Sequence, residues 1–77
     1  MGFSIRVVDD DGHPRKSARV GARSIQFFGD ASTEYTDEDG WANFDFPNLP
    51  GTFIIAVNGV DQGRYELDDG DTESFEV

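Results

Sequence analysis

The chain has 77 residues, enough for one domain and too few for two. It contains no cysteine, which excludes disulfides, thiolate metal sites and a cysteine nucleophile. Sixteen acidic residues against six basic ones give a net charge of −10, which sets the chain against nucleic acid and anionic membranes, whose phosphates require basic surface.

The hydrophobic period is two throughout. Phe3, Ile5 and Val7 alternate with Ser4 and Arg6, which predicts a half-buried strand. Asp9-Asp10-Asp11-Gly12-His13-Pro14 then reads as a turn, since glycine supplies a positive φ and proline stops strand pairing. A second strand places Ala18, Val20 and Ala22 on one face and Arg19 and Arg23 on the other. Its parity changes at Ile25 and Phe27, which predicts either a bulge or an inward Phe28 in place of Phe27. Residues 32–36 read as a short polar strand closed by Thr36-Asp37-Glu38-Asp39-Gly40, a hairpin turn signal.

Beyond that turn Ala42, Phe44 and Phe46 face one way, and Trp41, Asn43 and Asp45 the other. Pro47–Gly51 is a loop, and the apolar run from Thr52 to Asn58 predicts a central strand. Asn58-Gly59 and Gln62-Gly63 punctuate a ribbon through Tyr65 and Leu67. Asp68-Asp69-Gly70-Asp71 makes a last turn before a closing strand with Phe75 and Val77. Six or seven short strands with no helical window predict an all-β fold, a small antiparallel Greek-key sandwich or barrel formed by residues 1–77 as one domain. A domain this small buries only about 60% of its unfolded surface, so a partner, salt or a parent protein is expected to support it.

The succession Val7-Val8-Asp9-Asp10-Asp11-Gly12-His13-Pro14, Ala18-Arg19-Val20, Thr36-Asp37-Glu38-Asp39-Gly40, Phe44 and Pro47-Asn48-Leu49-Pro50-Gly51-Thr52-Phe53 resembles the carboxypeptidase regulatory-like domains. The resemblance spans roughly residues 4–58. It implies a prealbumin-like β-sandwich, related in shape to the B-type repeats of bacterial adhesins, that accompanies other domains and has no activity of its own.

Candidate chemistry is sparse. His13 is the only histidine and stands in a turn, and neither Ser17 nor Ser24 has a nucleophile's setting, so no triad or zinc site is expected. A single histidine also excludes the hydroxyisourate hydrolases that share the prealbumin-like sandwich. Lys16 lies in a polar stretch, which speaks against the Lys–Asn isopeptide bond of adhesin repeats. Asp68 and Asp71 form a carboxylate pair, but on a turn with no room for a glycosidase cleft. The acidic turns offer Asp9, Asp11, Asp37, Asp39, Asp69 and Asp71 as oxygen ligands for calcium, although none follows the twelve-residue calcium loop. The plainer reading is that Asp and Gly build tight turns. No cofactor is implied.

Two surfaces remain. Trp41 points away from the apolar face of its strand, with Tyr35 expected across the same hairpin. Such a pair can stack on a sugar, anchor a protein or simply brace the hairpin. Arg6, Arg19 and Arg23 are expected to form a stripe across two neighbouring strands, paired with acids or docking an acidic partner. The sequence therefore predicts a non-enzymatic structural or interaction module that meets a protein partner or itself through an edge strand. A module binding carbohydrate or calcium is the alternative. Asp outnumbers Glu and Lys16 is the only lysine, a balance expected at high salt and equally in a high-GC genome. No stretch reads as a signal peptide or membrane span, so a complete chain of this kind is expected in the cytoplasm.

Overall fold

The computed structural model describes all residues 1–77 and contains seven strands: β1 (Gly2–Val8), β2 (Arg19–Ser24), β3 (Ala31–Tyr35), β4 (Trp41–Asp45), β5 (Gly51–Val57), β6 (Val60–Leu67) and β7 (Thr72–Glu76). They form two sheets, a three-stranded one in the order β4-β1-β7 and a four-stranded one in the order β3-β2-β5-β6. The expected sandwich is present. One pairing departs from the antiparallel expectation, because β7 runs parallel to β1, with Val7 beside Phe75. A parallel neighbour requires a crossover, and β7 arrives from β6 in the opposite sheet.

Alternation explains the core. Phe3, Ile5 and Val7 of β1, Ala42 and Phe44 of β4, and Phe75 of β7 point inward from one sheet. Val20 and Ala22 of β2, Phe53, Ile55 and Val57 of β5, and Leu67 of β6 meet them from the other. Phe3 stacks on Phe44 and Phe46 at 5.4 and 5.7 Å between ring centroids, and Phe53 tilts onto Phe3 and Phe46 at 5.1 and 4.9 Å. Each ring contributes roughly 1.5–3 kcal/mol by burial, and more through its aromatic contacts.

Two expectations about the second strand are overturned. There is neither a bulge nor an inward Phe28: β2 simply ends at Ser24, and Ile25, Phe27 and Phe28 are exposed. The Ser24 hydroxyl accepts hydrogen bonds from the amides of Gln26 and Phe27, which turns the chain away from the core. β3 also begins one residue earlier than expected, leaving Thr36 just beyond its end.

Thr36 is one of two buried polar residues and ties the front of β2 to the end of β3. Its Oγ1 accepts the Ala18 N–H at 2.8 Å and donates to the Arg15 carbonyl. Thr36→Val keeps the shape but leaves that buried amide without an acceptor, so chemical denaturation should show a loss of about 1–3 kcal/mol. Thr36→Ser retains the hydroxyl and is expected to lose markedly less. Equal losses in the two variants would contradict the role given to the hydroxyl.

Candidate functional site

The acidic turns have a common place in the fold. Asp9–Gly12 leads from β1 to β2, Asp37–Gly40 from β3 to β4, and Asp68–Asp71 from β6 to β7; each carries the chain from one sheet to the other. The first two are the same device. Asp9 Oδ1 accepts the amides of Asp11 and His13 at 2.9 Å, and Asp37 Oδ1 accepts those of Asp39 and Trp41 at 2.9 and 3.0 Å. The backbone closes across each turn, Asp9 N–H to His13 O and Asp37 N–H to Trp41 O. Gly40 has φ +82°, and a Cβ there would lie 2.6 Å from the Val7 carbonyl, so no other residue fits this corner.

In the third turn Asp71 Oδ2 accepts the Asp68 amide, and Asp69 Oδ1 accepts the Gly2 amide, which pins the turn to β1. The carboxylates of Asp9, Asp37, Asp69 and Asp71 therefore already accept backbone hydrogen bonds. Ligand atoms of Asp9, Asp11 and His13 do lie within 4.8 Å of one another. That closeness follows from the turn itself, in which Asp9 Oδ1 gathers the Asp11 and His13 amides.

The aromatic pair expected at the Asp37–Gly40 turn does not form. Residues 36–40 close a corner between sheets instead of a hairpin, so β3 and β4 belong to different sheets. Tyr35 stands beside Arg19 on the outer face of the four-stranded sheet. Trp41 stands beside Arg6 on the outer face of the three-stranded one. The Arg6 guanidinium lies 5.8 Å from the indole centroid and its Nε donates to the Asp39 carbonyl at 3.3 Å. Trp41 is thus half-buried under its own strand neighbour, in a cation–π contact of about 0.5–1 kcal/mol.

The arginine stripe is corrected in the same way. Arg6 belongs to the opposite sheet, so only Arg19 and Arg23 share a face. Nor do these arginines pair with acids: the ion pairs within 4 Å are Met1–Asp45, His13–Asp9 and Lys16–Glu38. On the outer face of the four-stranded sheet, register sets Thr33, Gly21, Ala56 and Asp61 in one row and Ala31, Arg23, Ile54 and Arg64 in the next. Small residues leave a shallow, open depression of about 480 Å³ there, floored by Gly21 and Ala56 and walled by Arg23 and Thr33. The Arg19 guanidinium lies against the Gly59 corner at the rim of this depression.

Composition gave no signal for the apolar surface next to this depression. Six large hydrophobic side chains are exposed, and four of them, Ile25, Phe27, Phe28 and Tyr35, fall in the loop and strand that follow β2. Phe28 is fully exposed, with Tyr35 at 64%, Ile25 at 46% and Phe27 at 42%. β3 beside them is the edge of its sheet. Because Val20 and Ala22 pair with Glu34 and Ser32, it is the backbone groups of Thr33 and Tyr35 that face outward.

One titration is measurable in the turns. The His13 N–H hydrogen bond is the main reason the Asp9 carboxyl titrates below the ordinary aspartate value of 3.8, outweighing partial loss of hydration; the Asp11 N–H and nearby His13 and Arg15 add to it. A carboxyl lowered on folding stabilises the fold above its unfolded value, and that contribution disappears as pH falls through the folded value. Asp9→Asn keeps the acceptor oxygen and removes the charge. The melting-temperature gap between wild type and this variant is expected to be full near pH 6 and to narrow as pH falls below the ordinary aspartate value of 3.8. A gap unchanged across that range would contradict the charge's part in the turn.

No protein-family model matches the chain, and comparison with curated proteins finds no match.

Proposed function

We propose that the protein is a non-enzymatic interaction module, of the accessory kind the carboxypeptidase regulatory-like resemblance implies, and that it binds an extended protein segment along β3. The observation that carries the proposal is the open edge at β3, with the exposed Ile25, Phe27 and Phe28 in the loop that leads into its start and the exposed Tyr35 at its far end. Isolated exposed apolar residues need no explanation, but several together at a strand edge are characteristic of contact surfaces.

The other edges are better guarded against pairing. β6 is irregular between Asp61 and Arg64, opposite Ala56 and Ile54 of β5, and presents Asp61, Arg64 and Glu66. β7 turns the charged Glu73 toward the same side as Phe75. Both are common protections of a sheet edge. β4 is tied at its ends, where Met1 meets Asp45 and the Asp37 carboxylate holds the Trp41 amide. β3 has no bulge, proline or lysine, and four of its five residues are exposed. It shares with β7 one core-side acid, Glu34 opposite Val20, but lacks the irregularity of β6 and the end ties of β4. The lone His13 faces solvent, with Asp9 as its ionic neighbour at 3.7 Å, which supports a reading without catalysis.

A displayed library of extended peptides selected on the immobilised domain tests this, with bound sites mapped by amide hydrogen exchange. Selected peptides are expected to protect the Thr33 and Tyr35 amides. Thr33→Pro, whose lost N–H faces solvent in the free domain, should remove binding while the fold persists, and Phe28→Ser should weaken it. Peptides that protect Asn43 and Asp45 of β4 instead, or a selection that yields no binder, would refute it.

A further inference from the structure

We infer that the segment received along β3 is acidic, with a carboxylate side chain facing Ala31 and held by Arg23. This rests on the strand-addition reading above and names the chemistry of its partner.

The outer face of the β3–β2 half carries Ala31, Thr33 and Tyr35 on one strand and Arg19, Gly21 and Arg23 on the other. No acid stands among them. The outward acids of this sheet, Asp61 and Glu66, lie on β6, beyond β5. Of the other cations, Lys16 meets Glu38, Arg6 covers Trp41, and Arg15 Nε donates to the Val77 carbonyl at 3.1 Å. Arg64 has no ion pair, but it stands on β6, two strands from β2 and away from the β3 edge. Arg23 is exposed, and no carboxylate lies within ion-pairing distance of it. An uncommitted guanidinium in a chain of net charge −10 marks a place where acid is received.

Geometry narrows the subsite to one position. A strand added outside β3 stands about 10 Å from β2, two strand spacings away. Arg23 has to reach over its cross-strand neighbour to meet it, and that neighbour is Ala31, which presents only a methyl group. At the other end the Tyr35 ring stands beside Arg19, whose guanidinium is already turned toward Gly59. Between them Gly21 offers no side chain. The carboxylate therefore belongs opposite Ala31, and the adjoining Phe27 and Phe28 supply an apolar flank.

The overall charge opposes an acidic partner, and distance decides which influence prevails. At 0.15 M salt the screening length is about 8 Å, so the remote acids are attenuated while a guanidinium in contact with a carboxylate is not. The test uses three short synthetic peptides in 0.15 M KCl, alternating threonine with glutamate, glutamine or lysine, with affinities read from amide shifts. The glutamate peptide is expected to bind about tenfold more tightly than the glutamine one. Arg23→Gln should shrink that preference to less than about twofold and leave glutamine-peptide affinity unchanged; Arg64→Gln should leave the preference intact. Equal glutamate and glutamine affinities, with shifts at Thr33 and Tyr35, would overturn the acidic partner and spare the strand-addition reading. Tightest binding of the lysine peptide would overturn it too. Failure of all three peptides to perturb β3 would overturn both.

Discussion

The structure depends on the packing of three phenylalanines from one side of the sandwich, Phe3, Phe44 and Phe46, against Phe53 from the other. With no disulfide, this cluster and the aliphatic residues around it must supply the cohesion of a small chain. Its consequence reaches beyond stability. Once Phe3 and Phe53 are inside, the period of two fixes the opposite face of every paired residue. That is what brings Arg6 over Trp41 on one surface and sets Arg23 beside Ala31 on the other.

The acidic turns follow from the same architecture. Four of the six connections pass from sheet to sheet, and three of these corners are built from Asp and Gly. A corner needs acceptors for backbone amides that no longer have a ladder partner, and Asp9, Asp37 and Asp69 provide them. Much of the negative charge is thus committed to the fold. The surface proposed for recognition is the reverse of the bulk charge, two arginines and an apolar run on the β2–β3 side.

Local patterns in the sequence were enough to read each strand's inward face. Phe3, Ile5 and Val7 alternate visibly, as do Ala18, Val20 and Ala22, and each was placed correctly by counting in twos. Which strand lies beside which was not legible. The turn at Asp37–Gly40 looks like a hairpin because it reverses the chain like one, yet local hydrogen bonds say nothing about the sheet the next strand joins. Tyr35 and Trp41 were separated, and Arg6 was removed from Arg19 and Arg23, for that single reason. Phe27 and Phe28 failed differently. Reading apolar residues as core is sound only where a strand carries them inward, and the Ser24 hydroxyl ends the strand first.

The central claim is that the apolar residues after β2 are present for contact and not for folding. The most direct measurement is the unfolding free energy of the triple variant Ile25→Ser, Phe27→Ser, Phe28→Ser against wild type. Side chains that gain little from burial should cost little to remove, and the account predicts a change within about 1 kcal/mol with the fold retained. A loss of about 3 kcal/mol or more would place these residues in the core and contradict the account.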